Sequence, residues 1–207
     1  MKEIGRPTVG VLALQGDVSE HLVALEEVGA EATIVKTRAE LEAIDGLVIP
    51  GGESTTVIKL LERFDLAPLI KARVAEGMPL WGTCMGLIVV AREVVELPEQ
   101  PTLGLLDVSV RRNAFGRQIA SGEVELDIPE FGARPFPAIF IRAPWIEESG
   151  RHVRTLATLD GHGVLVQQNR ILGSSFHPEL SSDRRLHGYF IGIVRDAAAI
   201  GKLARPA

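Results

Sequence analysis

The first half of the chain alternates between short apolar runs and segments in which apolar residues recur every three or four positions. Continuous runs bounded by glycine or proline are typical of buried strands, whereas the wider spacing is typical of helices with one buried face. Residues 9–14 form the first continuous run. Asp17 can then cap a helix in which Val18 and Leu22 share a face, and Gly29 ends that helix. This alternation predicts a parallel sheet with helices on both faces. The other predicted strands are residues 32–35, 46–50 and 78–82. The other predicted helices are residues 39–44, a helix that begins after a cap at Ser54 or Thr55, and residues 84–93.

The pattern changes after about residue 103, where short strand-like runs are separated by glycine, proline and charged residues. Antiparallel strands joined by turns explain this series best, and we expect them to be added to the parallel core or to extend it. A last strand at 171–176 and a closing helix from 186 onwards complete one α/β domain, residues 1–207, with a mainly parallel central sheet. The short runs are residues 105–110, 122–128, 138–141, 152–159 and 164–168.

The composition fits a globular protein with a large core. Apolar residues make up 46% of the 207 positions, and the formal net charge of −5 argues against a nucleic-acid-binding protein. A single cysteine cannot form an internal disulfide, and no apolar stretch reaches the ~18–20 residues of a membrane span. We expect a cytoplasmic protein with neither nucleic-acid nor membrane partners.

Candidate chemistry begins with Cys84, which lies within residues 82–86 (GTCMG) between a predicted strand and a predicted helix. Flanking glycines permit the sharp turn of a nucleophile elbow, in which the middle residue is strained. The dipole at the start of the helix would favour the thiolate, the reactive form of cysteine. The alternative is a buried structural cysteine. The glycines and the strand-to-helix position favour the nucleophile.

His177 and Glu179, in the triplet His-Pro-Glu, are candidates for a base and its orienting carboxylate. Proline disfavours a helical conformation at the preceding residue, so an extended chain would point both side chains the same way. A surface loop is the alternative for a lone triplet of this kind, and its combination with Cys84 argues against it. We expect the four other histidines to face solvent: His21, His152, His162 and His187.

A glycine pair and several arginines complete the candidate site. Gly51-Gly52 follows a predicted strand, and its backbone could approach a developing oxyanion together with the N–H group of Met85. A Gly-Gly pair alone is more often a simple turn. Candidates for holding a substrate carboxylate through bidentate contacts are Arg112, Arg117 and Arg142.

Six segments resemble the glutaminase-subunit (PdxT/SNO) family of the two-component pyridoxal 5′-phosphate synthase, which is a family of triad-type, or class I, glutamine amidotransferases. The cysteine between glycines and the His-Pro-Glu triplet are shared by the wider class, whereas RNAFGRQ, PGGESTT and IRAP are more particular to this subunit. Ile88 stands where many other amidotransferases have glutamine. The segments are residues 10–16 (GVLALQG), 50–56 (PGGESTT), 82–88 (GTCMGLI), 112–118 (RNAFGRQ), 141–144 (IRAP) and 175–180 (SFHPEL).

This resemblance implies a three-layer, flavodoxin-like amidotransferase fold that hydrolyses L-glutamine to L-glutamate and ammonia through a cysteine thioester. It implies Cys84 as the nucleophile, His177 as general base and acid, and Glu179 as the orienting residue. The N–H groups of Gly52 and Met85 would form the oxyanion hole, with Met85 standing where alanine is more usual. No cofactor or metal is expected. Glutamine would be bound by Gly52, Glu53, Ser54, Arg112, Ile141 and Arg142.

The resemblance also implies a partner. A separate synthase subunit would activate the glutaminase and receive its ammonia for pyridoxal 5′-phosphate (vitamin B6) synthesis, and residues 15–16 would sense its docking. The glutaminase of another class I enzyme, such as imidazole glycerol phosphate synthase, is one alternative, and Ile88 and RNAFGRQ count against it. A non-catalytic flavodoxin-like module with a redox-sensing cysteine is another, and it leaves His177 and Glu179 unexplained.

Overall fold

The computed structural model describes residues 5–112 and 121–203, so that Arg117 and the rest of the 113–118 segment lie outside the described residues. A mixed sheet of ten strands forms the centre, and a separate pair, β7 and β8, forms a two-stranded sheet. The strands are β1 (Thr8–Leu12), β2 (Glu31–Val35), β3 (Gly46–Ile49), β4 (Leu80–Thr83), β5 (Ala91–Val94), β6 (Leu106–Arg111), β7 (Ser121–Leu126), β8 (Phe136–Ile141), β9 (Trp145–Ser149), β10 (Arg154–Leu159), β11 (His162–Gln168) and β12 (Ile171–Ser174).

Five adjacent parallel strands, in the order β2-β1-β3-β4-β12, make up one half of the central sheet. The other half continues through β11, β9, β6 and β5, with antiparallel pairing from β12 to β6 and β10 beside β11. The carboxyl ends of β1, β3, β4 and β12 therefore meet at one edge, where ligand sites of open α/β sheets form.

Helices cover both faces of the sheet, as the alternating pattern predicts. Buried side chains of α1 and α6 pack on one face around Trp81, while those of α2 to α5 pack on the other. None of the helices in the described part of the chain is both long and apolar enough to cross a membrane. The helices are α1 (Val18–Glu27), α2 (Arg38–Glu42), α3 (Ser54–Arg63), α4 (Ala67–Ala75), α5 (Met85–Val90) and α6 (Arg185–Leu203).

The structure differs from the sequence-based expectation around α5. The helix expected at residues 84–93 ends at Val90, and Ala91 begins the strand β5. Every residue of α5 is buried, so its apolar sequence carries no period that could mark its end. Of the expected antiparallel strands, β10 and β11 extend the central sheet, whereas β7 and β8 are added as a sheet of their own. Besides β5, two elements of the described residues were not expected, α4 and β9.

Candidate active site

Cys84 occupies a strained turn between β4 and α5. Its backbone has φ 49° and ψ −110°, a conformation that costs a non-glycine residue about 1–3 kcal/mol. The Cys84 N–H donates to the Ser174 carbonyl at 2.8 Å, which ties the turn to β12. A Cβ at Gly86 would meet the carbonyl oxygen of Ile49, so this position accepts only glycine without a shift of the backbone. The structure thus contains the elbow that the flanking glycines predict.

His177 follows β12 and is paired with Glu179. Its backbone N–H donates to the Ile139 carbonyl at 2.8 Å, and its Nδ1 lies 2.7 Å from Glu179 Oε1. Both side chains are almost fully buried. The chain here is not extended throughout as expected, because Pro178–Leu180 forms a short 3-10 turn. That turn still brings the carboxylate back to the ring.

The structure brings this pair together with Cys84. His177 and Cys84 line the same cavity, and the two side chains interact closely enough to affect proton binding. Burial by itself would lower the pKa of His177, but hydrogen bonds and charges from Cys84 and Glu179 outweigh burial and raise that pKa to about 10. His177 is therefore an imidazolium at neutral pH, placed beside a sulfur whose anionic form it would stabilise.

The cavity in front of Cys84 has a volume of about 310 Å³, which falls in the range of small-molecule sites. Its wall carries positive charges on Arg112 and Arg142 and negative charges on Asp17 and Glu53. Such a wall suits a zwitterionic ligand of amino-acid size. Of the catalytic and binding residues proposed from the sequence, the cavity is lined by Gly52, Glu53, Cys84, Met85, Arg112, Ile141, Arg142 and His177.

Arg112 is held by a network that reaches Ser54. Its guanidinium contacts Glu53 Oε1 at 3.3 Å and Gln100 Oε1 at 3.2 Å, and Gln100 Nε2 donates to Ser54 Oγ at 3.2 Å. Ser54 is fully buried and supports the network from behind without lining the cavity. Glu53, not Ser54 or Thr55, caps α3, because its carboxylate accepts from the Thr55 N–H. Gln100, a lone glutamine in a loop, gave no signal in the sequence.

The loop after β1 packs directly on the glycine turn after β3. Gln15 Oε1 accepts from the Glu53 N–H at 2.6 Å, and a Cβ at Gly16 would meet the Gly51 carbonyl oxygen. Gly52 itself has φ +153°, a value that L side chains rarely adopt. The glycines of this turn therefore serve close backbone packing beside the cavity.

Asp17 is a cavity residue that the sequence did not single out for chemistry. It occupies the N-cap position of α1 but makes no capping hydrogen bond with its side chain, and its Oδ2 lies 3.7 Å from His177 Nδ1. Donor atoms of Asp17, His177 and Glu179 lie within 4.8 Å of one another. A metal would need the Nδ1 lone pair of His177, which the proton shared with Glu179 occupies, so we assign no metal here.

His21 and His187 are fully buried, and the expectation that they face solvent was wrong. Burial, reinforced by the positive charge of Arg184, lowers the pKa of His187 to about 3. Burial, then the neighbouring His187 ring and the positive charges of His177 and Arg184, lower the pKa of His21 well below its usual value. The sequence did indicate that His21 is buried, because it lies three residues after Val18 and four before Leu25, on the apolar face of α1.

His152 is exposed, as expected, whereas His162 is half-buried. The His162 ring stacks on Trp145 with ring centroids 3.7 Å apart. Neither residue lines the cavity.

A cysteine elbow facing a His–Glu pair across the carboxyl edge of a mainly parallel sheet defines the class I glutamine amidotransferases. The chain belongs to the SNO glutamine amidotransferase family, whose profile matches residues 11–196. It is similar to a crystal structure of a glutamine amidotransferase, with a TM-score of 0.85 and 48% identity over 90% of this chain and 98% of that one.

Two curated relatives are similar over almost their full lengths. The pyridoxal 5′-phosphate synthase subunit PdxT of Kineococcus radiotolerans is 53% identical over 201 residues, which cover 93% of this chain and 97% of that protein. The PdxT subunit of Kosmotoga olearia is 50% identical over 183 residues, which cover 88% and 95%.

Proposed function

We propose that this protein is the glutaminase subunit of a pyridoxal 5′-phosphate synthase and hydrolyses L-glutamine to L-glutamate and ammonia. The observation that carries the proposal is the meeting of Cys84 with the His177–Glu179 pair in one cavity of amino-acid size. Similarity of about 50% to subunits of that name supports the particular synthase. In this proposal residues 1–207 act as one glutaminase domain.

In the first half of the reaction the Cys84 thiolate attacks the side-chain amide carbon of glutamine. The carbonyl oxygen becomes an oxyanion, for which the peptide N–H groups of Gly52 and Met85 are the proposed donors. His177, protonated because its pKa is raised to about 10, then gives its proton to the amide nitrogen. The C–N bond breaks, and ammonia and a glutamyl thioester are formed.

The second half returns the enzyme to its starting state. Neutral His177 takes a proton from water, and the hydroxide attacks the thioester carbon. The C–S bond breaks, glutamate leaves, and Cys84 is again a thiolate beside an imidazolium. Glu179 holds the Nδ1 proton of His177 throughout, so that Nε2 is the nitrogen that exchanges protons with the reactants.

The charges of the cavity wall fit the other end of glutamine. Arg112 and Arg142 are the proposed partners of the α-carboxylate, and Glu53 is an acidic group within reach of the α-ammonium. The contacts of Arg112 with Glu53 and Gln100 fix the guanidinium before substrate arrives. Gly52 and Ile141 complete the wall of the proposed subsite. Ser54 supports the subsite from behind, through Gln100 and Arg112.

The released ammonia is passed, in this proposal, to a separate synthase subunit that also activates the glutaminase, and the complex works in the cytoplasm. Support for a sensing loop comes from the direct contact between Gln15 and the backbone of Glu53, next to the proposed oxyanion hole. A synthase docking on residues 15–16 would thereby alter the glycine turn.

The test is glutamate release from glutamine with and without the purified synthase. We expect Cys84→Ala to lower the rate by about 10³-fold or more, because nucleophile removal abolishes covalent catalysis. His152→Gln, at an exposed position outside the cavity, is the matched control and should keep the wild-type rate. Undiminished glutamate release by Cys84→Ala would refute the proposal.

Two further measurements separate the alternatives. A glutamine-mimicking diazo-ketone should label Cys84 with one adduct per chain, which a redox-sensing module would not allow. Stimulation by pyridoxal 5′-phosphate synthase, and not by imidazole glycerol phosphate synthase, is expected; the opposite preference would assign the glutaminase to the other enzyme.

A further inference from the structure

A row of buried polar side chains continues behind Glu179, on the side away from His177. Glu179 Oε2 is buried and accepts no hydrogen bond from the described residues, but His21 Nε2 lies 3.3 Å from it. The same nitrogen lies 3.2 Å from Thr83 Oγ1, and His21 Nδ1 lies 3.3 Å from His187 Nε2. The row therefore runs from α6 through α1 to the triad.

Proton positions in this row follow from the chemistry of its members. An ionised carboxylate only accepts hydrogen bonds, so the atom of His21 that faces Glu179 must carry a proton. A neutral imidazole has one N–H group; with the proton of His21 on Nε2, its Nδ1 can only accept. His187 must then donate from Nε2, which leaves a bare lone pair on His187 Nδ1. That nitrogen is buried and unpaired among the described residues, as this assignment requires.

The surroundings keep both rings neutral. Two residues of β4 face His21, Trp81 and the last residue of the strand, Thr83. His187 faces it from α6, and Glu179 faces it from the 3-10 turn. Two cationic groups act on it from further away, His177 and Arg184. Arg184 is itself engaged, because it pairs with Glu27 and donates to the Ser181 and Glu179 carbonyls. A second positive ring next to these groups is disfavoured.

We propose that His21 is a positioning residue for the catalytic triad, in which its Nε2–H group holds the second carboxylate oxygen of Glu179 while His187 fixes the tautomer of His21. The inference rests on the proposed glutaminase function and deepens it. Glu179 has one oxygen for His177 and one for His21, so the carboxylate cannot rotate without losing a partner. His21 does not touch the cavity and acts only through Glu179.

Two variants of His21 separate the proposed donor from the space that the ring fills. His21→Gln retains an amide N–H group that can reach the position of Nε2, whereas His21→Met fills a similar volume without a donor. We expect His21→Met to lower kcat roughly 10- to 100-fold, the size of loss that misplacement of a catalytic group produces. KM for glutamine should stay close to wild type, and His21→Gln should recover most of kcat.

The pH profile provides a readout that a purely structural role would not move. Glu179 helps to raise the pKa of His177, and the reaction needs protonated His177 as the acid. In His21→Met the Glu179 carboxylate is no longer held by residue 21, so the alkaline limb of the kcat profile should shift to lower pH. In His21→Gln that limb should return to its wild-type position. Both variants are assayed with the synthase present and after their folded fractions are matched. Wild-type kcat and pH profile in His21→Met would overturn the inference.

Histidine NMR tests the same assignment without a variant or an assay. In ¹⁵N-labelled wild-type protein, two neutral histidines should carry their proton on Nε2 and keep that state from pH 6 to 8. A proton on Nδ1 of His21 would overturn the proposal even if His21→Met failed to fold. If wild type released no glutamate with any synthase while NMR showed the expected tautomers, the proposed function would fail and the hydrogen-bonded row would stand.

Discussion

Three histidines that lie close together differ in the direction in which the protein shifts their pKa. His177 has two partners that favour its charged form, and its pKa rises to about 10 despite burial. His187 is buried and has no acidic partner among the described residues, and its pKa falls to about 3. His21 behaves like His187, because burial and nearby positive charges lower its pKa. The residue type is the same in each position, so the balance between burial and the neighbouring groups decides the charge.

These shifts predict how the free energy of unfolding depends on pH. Above the usual histidine pKa of about 6.5, folded His177 holds a proton that the unfolded chain releases, so stability is lost as pH rises towards 10. Below that value, unfolded His21 and His187 bind protons that the folded protein excludes, so their effect lowers stability as pH falls. Urea titrations from pH 4 to 10 should show these two opposite slopes.

Single substitutions assign each slope to its residue. His187→Gln should flatten the acid side and leave the alkaline side unchanged, whereas His177→Asn should flatten the alkaline side only. His152→Gln, at an exposed position, is the control for loss of a histidine as such. Equal acid slopes in wild type and His187→Gln would show that His187 takes up a proton in the folded state.

At the scale of helices and strands, the start of α6 is fixed by one arginine. Arg185 pairs with Asp183, and its two terminal nitrogens donate to the carbonyls of Phe131, Arg134 and Pro135. Asp183 in turn accepts from the Arg185 N–H, so one side-chain pair begins the helix and holds the 131–135 loop.

We predict that Arg185→Lys lowers the free energy of unfolding by about 1.5–3 kcal/mol. The ammonium group of lysine lacks the planar fork of N–H groups with which arginine donates to the carboxylate and the three carbonyls together. Hydrogen bonds to charged groups each contribute about 1.5–3 kcal/mol to stability. Arg38→Lys is the matched control, because its pair with Asp65 is largely exposed and should be worth no more than about 1 kcal/mol. Urea titration measures both, and an equal loss in the two variants would contradict the prediction.

The sequence predicted elements well where one face of each element meets water or where a glycine marks an end. The elements β1 to β3 and α1 to α3 follow such patterns, and their bounds differ from expectation by a few residues. Prediction was poorer where burial is complete, as in α5, or where the decisive partner lies far along the chain. His21 and His187 are separated by 166 positions, and their hydrogen bond depends on two helices meeting on one face.

At the scale of the whole molecule, the site depends on the order of strands rather than on any one segment. Cys84 follows β4, His177 follows β12 and the glycine turn follows β3, and these three strands are neighbours in parallel register. Sequence reasoning could expect this edge of the sheet but could not derive the strand order, because each buried strand pairs equally well with several others. The resemblance to a known family supplied the fold class in advance, and the order of the strands became known only from the structure.

This arrangement predicts an order of amide hydrogen exchange across the molecule. The strand β4 lies between β3 and β12 with both faces of the sheet covered, so its amides should exchange only when the whole domain unfolds. Within the described residues β7 pairs with β8 alone, and its Glu123 and Glu125 side chains are exposed, so local opening should suffice there. Mass spectrometry of peptides covering residues 80–83 and 121–126 should find exchange slower in the first by at least about tenfold. Equal protection in both peptides would mean that the separate two-stranded sheet opens only together with the core that carries Cys84.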